Sequence, residues 1–215
     1  MARQADHNER REAFAMAALR VIMRAGVGGL TVREVAKEAG FTTGALTHYF
    51  TSKDHVLIEA SECSARMVRP RMEKAEREAD ALIALRKVVG ESLPISPKAR
   101  GYWRIWVGFW ERASYNADVA RVLRERYDEW TGRLAKIIRR AQAEGRVPRA
   151  VDPESAAQEI VAIVDGIGVQ VLLGRRRLSV ARQWEIVDSW IEVLAEGKVG
   201  KTAIRSAGNA SKICA

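Results

Sequence analysis

The chain has 215 residues, 47% hydrophobic and 29% charged, which is typical of a globular protein of one large or two small domains. Five prolines and sixteen glycines exclude a fibrous or proline-rich class. Lysine and arginine outnumber aspartate and glutamate by 36 to 27, and the net charge of +9 favours a polyanionic partner, with charge that only aids solubility as the alternative.

The same features predict a cytoplasmic protein. Cys63 and Cys214 are the only cysteines, and one lies in a helical pattern and the other in a polar tail, so we expect no disulfide. The N-terminus lacks the apolar core of a signal peptide. We find no run of about eighteen apolar residues, so we expect no membrane partner.

The first forty residues predict two helices separated by a turn. Apolar side chains recur at three- and four-residue steps between residues 8 and 25, which is the period of a helix buried along one side. The next helix begins at Thr31, which forms a capping box with Glu34. It ends at Gly40, because glycine can adopt the left-handed backbone conformation.

The following residues predict only further helices. A short helix covers residues 42–50, and a long one begins at Lys53 after the N-cap Ser52, with a kink or break at Pro70. Beyond residue 79, helices are predicted over residues 79–93, from Pro97, from Asp118 to Glu144, from Pro153 after Asp152, and over residues 180–196.

We therefore expect an all-α fold with two domains and a tail. Residues 1–52 form an N-terminal three-helix helix-turn-helix domain, and residues 53–196 form a larger C-terminal helical bundle. Residues 60–80 join the two as continuous helix. Residues 197–215 are expected to be a disordered basic tail. The basic clusters at Arg146 and residues 175–177 are interpreted as solvated loops.

Residues 35–49 have the spacing of a helix-turn-helix. Two short helices that cross steeply need a small residue where they approach, here Ala36, and a glycine at the corner, here Gly40. With Val35 and Leu46 facing inward, the second helix turns small polar side chains outward. A surface of this kind can enter a DNA major groove, which is about 12 Å wide.

The candidate DNA contacts on this surface divide by chemistry. Gly44 and Ala45 allow close approach, and an alanine methyl can contact the methyl group of thymine. The remaining candidates carry donors for base edges or phosphate oxygens: Arg33, Thr43, Thr47, His48, Tyr49 and Lys53.

The stretch TVREVAKEAGFTTGALTHYFTSKDHVL (residues 31–57) resembles the N-terminal signature of the tetracycline-repressor (TetR) family. That signature is T-x-x-x-[IV]-A-x-x-[AS]-G, then a Thr-Gly-rich recognition helix, then Y-F-x-x-K. Thr47 departs from the family, which commonly has an aromatic residue there. The resemblance implies DNA contacts at Thr31, Arg33, Thr42 or Thr43, Gly44, Thr47, Tyr49 and Lys53.

Residues 102–130 are rich in aromatics, and with VDPESAAQEIVAIVDGIGVQVLLG (residues 151–174) they are similar to the C-terminal domain of the betaine-operon repressor subgroup. The resemblance implies a dimerisation domain with a small-molecule pocket. Trp103, Trp106 and Trp110 stand at helical spacing, which fits core packing or pocket lining. A cationic ligand could lie over these rings with Glu62 or Asp165 nearby, because a carboxylate in an apolar helix needs a partner or a function.

The last two predicted helices are apolar on two sides. Helices of this kind need one partner inside the subunit and one outside, so we predict a two-fold four-helix interface, with a buried pair inside a monomer as the alternative. The interface candidates are Ile160, Val164, Ile167, Val171, Trp184, Val187, Ile191 and Leu194.

The sequence predicts a regulator and not an enzyme. His48 and His55 have no Cys, Asp or Glu cluster with them, so we expect no metal, and we find no catalytic constellation or cofactor motif. Our hypothesis is a homodimeric repressor that a small-molecule effector releases from a pseudo-palindromic operator of double-stranded DNA. The alternatives are an enzyme or small-molecule-binding protein with a vestigial helix-turn-helix, and a ligand-blind architectural DNA binder.

Overall fold

A computed structural model describes residues 2–174 and 178–200. Within these ranges the chain is all-α, as expected, with nine α-helices and no strand. The helices are α1 (Ala2–Ala25), α2 (Val32–Ala39), α3 (Thr43–Thr47), α4 (Lys53–Glu76), α5 (Ala81–Gly90), α6 (Pro97–Ala113), α7 (Ala117–Ala143), α8 (Pro153–Leu172) and α9 (Val180–Ala195). The predicted loop cluster at 175–177 and residues 201–215 of the predicted tail lie outside the described residues.

Several helix starts follow from the polar caps that the sequence signalled. The Thr31 hydroxyl accepts a hydrogen bond from the Glu34 amide at 3.1 Å, and the Asp152 carboxylate accepts one from the Ser155 amide at 3.0 Å. Each cap satisfies an amide that has no acceptor within its own helix. Gly40 ends α2 in the left-handed conformation, with φ of 75°.

Two helix boundaries correct the sequence predictions. α7 begins after Asn116, whose side-chain oxygen accepts from the Asp118 amide at 3.0 Å, so Asp118 lies in the first turn and is not the cap. α4 continues through Pro70 from residue 53 to residue 76, so the proline does not break it. The predicted continuous helix over residues 60–80 is confirmed up to Glu76, where α4 ends, and is wrong for residues 77–80, which are not helical.

The expectation of disorder from residue 197 onward is wrong for residues 197–200. The Gly200 amide donates to the Glu159 carboxylate at 3.0 Å, and the Gly200 carbonyl accepts from the Asp152 amide at 2.9 Å. These bonds fasten the end of the described chain to the first turns of α8.

Buried apolar side chains form two clusters that meet at α6. The first surrounds Phe14 and draws on α1, α2, α3 and the first half of α4, together with Ile105 and Phe109 from α6. The second lies among α5, α7, α8 and α9 and includes Trp103 of α6. The first cluster therefore extends past residue 52, and the division into domains at that point stays a prediction.

α8 is long and apolar enough, by length and composition alone, to cross a membrane. This differs from the sequence expectation that no segment qualifies. The core helix of a folded domain passes the same test, and 39% of the apolar window of α8 is buried inside the chain. One side of α8 is therefore core, and the other side is left with apolar surface.

Burial corrects five of the predicted interface residues. Ile160, Val164, Ile167, Val187 and Leu194 are 3% exposed or less and lie in the second cluster of the chain itself. They face the core because α8 packs on α6 and α7 and α9 packs on α5. The other three, Val171, Trp184 and Ile191, are partly buried against the same cluster.

Candidate DNA-reading helix and ligand cavity

The corner at Gly40 holds α3 against α2. Leu46 of α3 and Val35 of α2 are 0% and 1% exposed, and the Phe41 amide donates to the Ala36 carbonyl at 2.9 Å across the corner. These contacts fix the rotation of α3 about its own axis. They decide which side of the short helix is turned to solvent.

The opposite side of α3 is exposed and polar. Thr43, Gly44, Thr47 and His48 are exposed, while Ala45 is half-buried. A helix whose outward side chains are this small can approach base edges closely. The individual DNA-contact roles stay predictions.

The threonine hydroxyls near this surface are not equivalent. Thr31 and Thr42 accept backbone amide bonds, from Glu34 at 3.1 Å and from Ala45 at 3.2 Å, so their own protons remain available for a phosphate. The Thr47 hydroxyl donates to the Gly44 carbonyl at 2.9 Å. In this state Thr47 therefore offers an acceptor lone pair and a methyl group to a partner.

The predicted phosphate contacts flank α3. Arg33 on the first turn of α2 and Lys53 at the start of α4 are exposed. Tyr49 is partly exposed, and its ring contacts both Phe14, with ring centroids 5.3 Å apart, and His7, with ring centroids 4.6 Å apart. No local pattern in the sequence predicts the contact with His7, because the two residues are distant in the chain.

A second long-range contact ties the start of α4 to the end of α6. Arg112 donates through Nε and Nη2 to the two oxygens of the Asp54 carboxylate, with 2.6 Å between Nε and Oδ1, and Asn116 donates to Oδ2 of the same carboxylate at 2.7 Å. The bond to Asp54 raises the pKa of the Arg112 guanidinium above its ordinary value. Asp54 directly follows Lys53, so this cluster connects the DNA side of the molecule to α6.

A cavity of about 400 Å³ lies between α4, α6, α7, α8 and the segment that joins α5 to α6. Its lining is largely apolar and includes the rings of Tyr102, Trp103, Trp106, Phe109, Tyr127 and Trp130. The size is within the usual range for a small-molecule site. Of the four predicted ligand-binding residues, Trp103, Trp106 and Asp165 line it.

The structure differs from the predicted ligand contacts at two residues, Trp110 and Glu62. Trp110 is not among the residues that line the cavity, and its indole nitrogen donates to the Tyr127 hydroxyl at 3.0 Å. Glu62 pairs with Arg126 and, at 3.9 Å, with Arg66, so its charge is already matched by cations.

The Tyr127 hydroxyl in turn donates a hydrogen bond to Asp165 Oδ2 at 2.6 Å. Burial raises the pKa of the Asp165 carboxyl, and this hydrogen bond opposes the rise. Burial and the neighbouring carboxylate raise the pKa of the Tyr127 hydroxyl, which therefore remains a donor. Tyr127 was missed from the sequence, where its only signal is helical spacing to Trp130.

Asp165 differs from the charged groups around it, because the guanidiniums that line the cavity are paired with carboxylates other than Asp165. Four guanidiniums line the cavity and have carboxylate partners: Arg69 with Glu129, Arg71 with Glu91, Arg126 with Glu62, and Arg133 with Glu76. The exposed Lys98 lies at the rim with its ammonium 6.0 Å from the Tyr102 ring. Within residues 2–174 and 178–200, Asp165 forms no ion pair and contacts only the neutral Tyr127 hydroxyl among polar groups.

Metal ligation has no candidate in the described part of the chain. No group of three or more His, Cys, Asp or Glu side chains there is arranged to hold an ion. The cavity offers aromatic rings for stacking, together with the half-buried carboxylate of Asp165 and the Tyr127 hydroxyl that supports it.

Comparison with known proteins matches both halves of the chain to regulator families. Residues 81–196 match the model for the C-terminal part of BetI-type transcriptional repressors, and residues 16–60 match the model for bacterial regulatory proteins of the tetR family. The HTH-type transcriptional regulator PksA of Bacillus subtilis is 26% identical over 89% of this chain and 93% of its own length. The HTH-type transcriptional regulator BetI 1 of Chromohalobacter salexigens is 24% identical over 85% of this chain and 89% of its own length.

Solved structures agree with the family matches. A transcriptional regulator from Saccharomonospora viridis, crystallised in complex with choline, is 29% identical and superposes with a TM-score of 0.79 over 86% of this chain and 96% of that chain. The matched relatives are transcriptional regulators rather than enzymes.

Proposed function

This chain belongs to the TetR family of bacterial transcriptional regulators, with a C-terminal part of the BetI repressor type, and from that premise we propose a specific mode of action. The protein is a cytoplasmic homodimer that represses transcription from a pseudo-palindromic operator. A small organic cation that enters the cavity releases it from the DNA.

The observation that carries the proposal is the exposed side of α3. Leu46 anchors that helix while Thr43, Gly44, Thr47 and His48 remain exposed, with Arg33 and Lys53 on either side. Small polar groups on a short exposed helix, flanked by cations, are what base readout and phosphate contact require. Reading two half-sites needs two such helices related by a two-fold axis.

The dimer is supported by the outward sides of α8 and α9. Ala162, Gly166, Val169 and Leu173 follow one another at four- and three-residue steps along α8, and none of them is buried. Leu173 is 76% exposed. On α9 the corresponding stripe of Ile186, Ser189 and Val193 is also at least partly exposed. Apolar stripes with small residues on two neighbouring helices suit a four-helix contact with a second copy.

The effector class is supported by the surroundings of Asp165. A carboxylate that forms no ion pair with any residue of the described ranges, beside the rings of Trp103, Trp106 and Tyr127, attracts a cation of modest size, because aromatic faces and the carboxylate both carry negative potential. The regulator from Saccharomonospora viridis that superposes on this chain was crystallised with choline, which is a cation of this class.

Coupling between the cavity and the DNA is supported by α4 and α6. Both helices line the cavity, and α6 also packs on the DNA-reading side, where a Cβ at Gly108 would lie 2.0 Å from Val27 Cγ2. The contact of Arg112 with Asp54 joins the end of α6 to the start of α4. An effector that moves either helix changes the separation of the two reading helices, and a preference of a few kcal/mol for the moved state is enough for release.

The test is selection of DNA from a random duplex library by purified protein, repeated with choline. We expect enrichment of one pseudo-palindromic sequence and weaker binding to it when choline is added. Failure to enrich any sequence would count against operator binding. Enrichment that choline, tested up to millimolar concentration, leaves unchanged would count against the cationic effector alone.

A further inference from the structure

His7 contacts Tyr49 in the turn that follows the reading helix. It is exposed on the second turn of α1, and its imidazole stacks on the Tyr49 ring with centroids 4.6 Å apart and planes inclined by 35°. The match to the family model begins at residue 16, so His7 lies in a part of α1 that precedes it.

Tyr49 contacts two side chains of α1, one buried and one exposed. The ring of Phe14, which is 0% exposed, has its centroid 5.3 Å from that of Tyr49, and the imidazole of the exposed His7 has its centroid 4.6 Å away. The Tyr49 backbone is also fixed, because its amide donates to the Leu46 carbonyl at 2.9 Å in the turn after α3. The direction of the Tyr49 hydroxyl therefore depends on the two stacking partners.

We propose that His7 is a positioning residue for DNA binding, which holds the Tyr49 ring so that its hydroxyl donates to an operator phosphate. Without His7, the Tyr49 ring loses its exposed partner and the side chain gains rotational freedom that DNA binding must remove. The imidazole acts through its ring face and not through its charge. This inference rests on the proposed operator binding.

The experiment measures the dissociation constant of the selected operator by fluorescence anisotropy at several salt concentrations. His7→Ala is expected to weaken binding by roughly 2- to 12-fold, the range for loss of one aromatic pair. His7→Phe keeps a flat ring and should restore the affinity of the wild type. Asn8→Ala, at the neighbouring exposed position on α1, is the matched control and should bind like the wild type.

Two further readouts separate positioning from direct contact. Because a neutral hydroxyl releases no counterion, the slope of log affinity against log salt should be the same for His7→Ala and the wild type. In a Tyr49→Phe background, which lacks the hydroxyl, His7→Ala should add no further loss. Thermal unfolding of each variant checks that the fold is retained.

The outcomes are distinguishable. Equal weakening by His7→Ala and His7→Phe together with a shallower salt slope would show a direct phosphate contact by the imidazole and overturn the proposal. Wild-type affinity in His7→Ala, or additive losses in the double variant, would overturn it as well. If the wild type selects no operator at all, operator binding itself has failed before His7 is tested.

Discussion

Gly40→Ala tests the corner on which the reading helix depends. Gly40 has φ of 75°, and a Cβ placed there would meet nothing within 4 Å, so the cost of alanine comes from the backbone conformation and not from a clash. A residue with a side chain loses about 1–2 kcal/mol in the left-handed region, and alanine offsets part of this by restricting the unfolded chain. We expect a net loss of about 1 kcal/mol.

Gly44→Ala is the matched counterpart, because the same substitution should act in the opposite direction on stability. Gly44 lies in α3 with a helical backbone, and its nearest neighbour for a Cβ is Thr42 Oγ1 at 4.0 Å. Replacing a helical glycine by alanine stabilises by about 0.5–1 kcal/mol. On DNA, however, the added methyl occupies the space through which α3 approaches the bases, so operator affinity should fall about tenfold.

The assay is urea unfolding of the three proteins followed by circular dichroism, with operator affinity measured in parallel. A change of 1 kcal/mol corresponds to about 2–4 °C in Tm for a chain of this size, so thermal scans give a second measure. If Gly40→Ala is as stable as the wild type, the corner is not locked in the left-handed conformation and the reasoning is wrong. A tighter operator complex with Gly44→Ala would refute the close approach of α3.

Four further outcomes are expected for DNA binding, choline binding and dimerisation. Lys53→Ala should lower the salt slope of operator binding by about 0.9 without changing the preferred sequence, and a sequence-dependent loss would contradict a phosphate contact. Asp165→Asn should weaken choline binding about tenfold by calorimetry, less than for a fully buried pair because Asp165 is partly exposed. Since a proton competes with the cation for this carboxylate and burial raises its pKa, wild-type affinity for choline should fall on acidification at a pH above the ordinary aspartate value of 3.8, and a flat profile would argue against ion pairing. Val169→Glu, in the outward stripe of α8, should give monomers by light scattering, whereas Ile83→Glu, at an exposed isoleucine of α5, should leave the dimer intact.

Local features of the sequence were sufficient to predict the helices and the corner at Gly40 between α2 and α3. A cap at Thr31 or Asp152 and a left-handed glycine at position 40 involve residues within three or four positions of one another. Their geometry therefore depends on the local backbone and does not require contacts with distant segments of the chain. The helical period likewise predicted that α8 and α9 are apolar on two sides.

The helical period of the apolar residues in α8 and α9 does not predict which of their two apolar sides faces the core. The sequence assigned Ile160, Val187 and Leu194 to an interface, and the structure buries them inside the chain, because the choice depends on where α5, α6 and α7 lie. Pro70 is a related case, since its local preference for a helix break gave way within the long α4.

What the sequence determined, then, is the set of contacts that close within one or two helical turns. The packing of the helices brings Tyr127 to Asp165, Arg112 to Asp54 and His7 to Tyr49. These partners are 38, 58 and 42 positions apart in the chain, and no residue spacing encodes such a meeting. It arises because the helices pack to bury their apolar sides, and the polar and aromatic groups at their ends are brought together as a consequence.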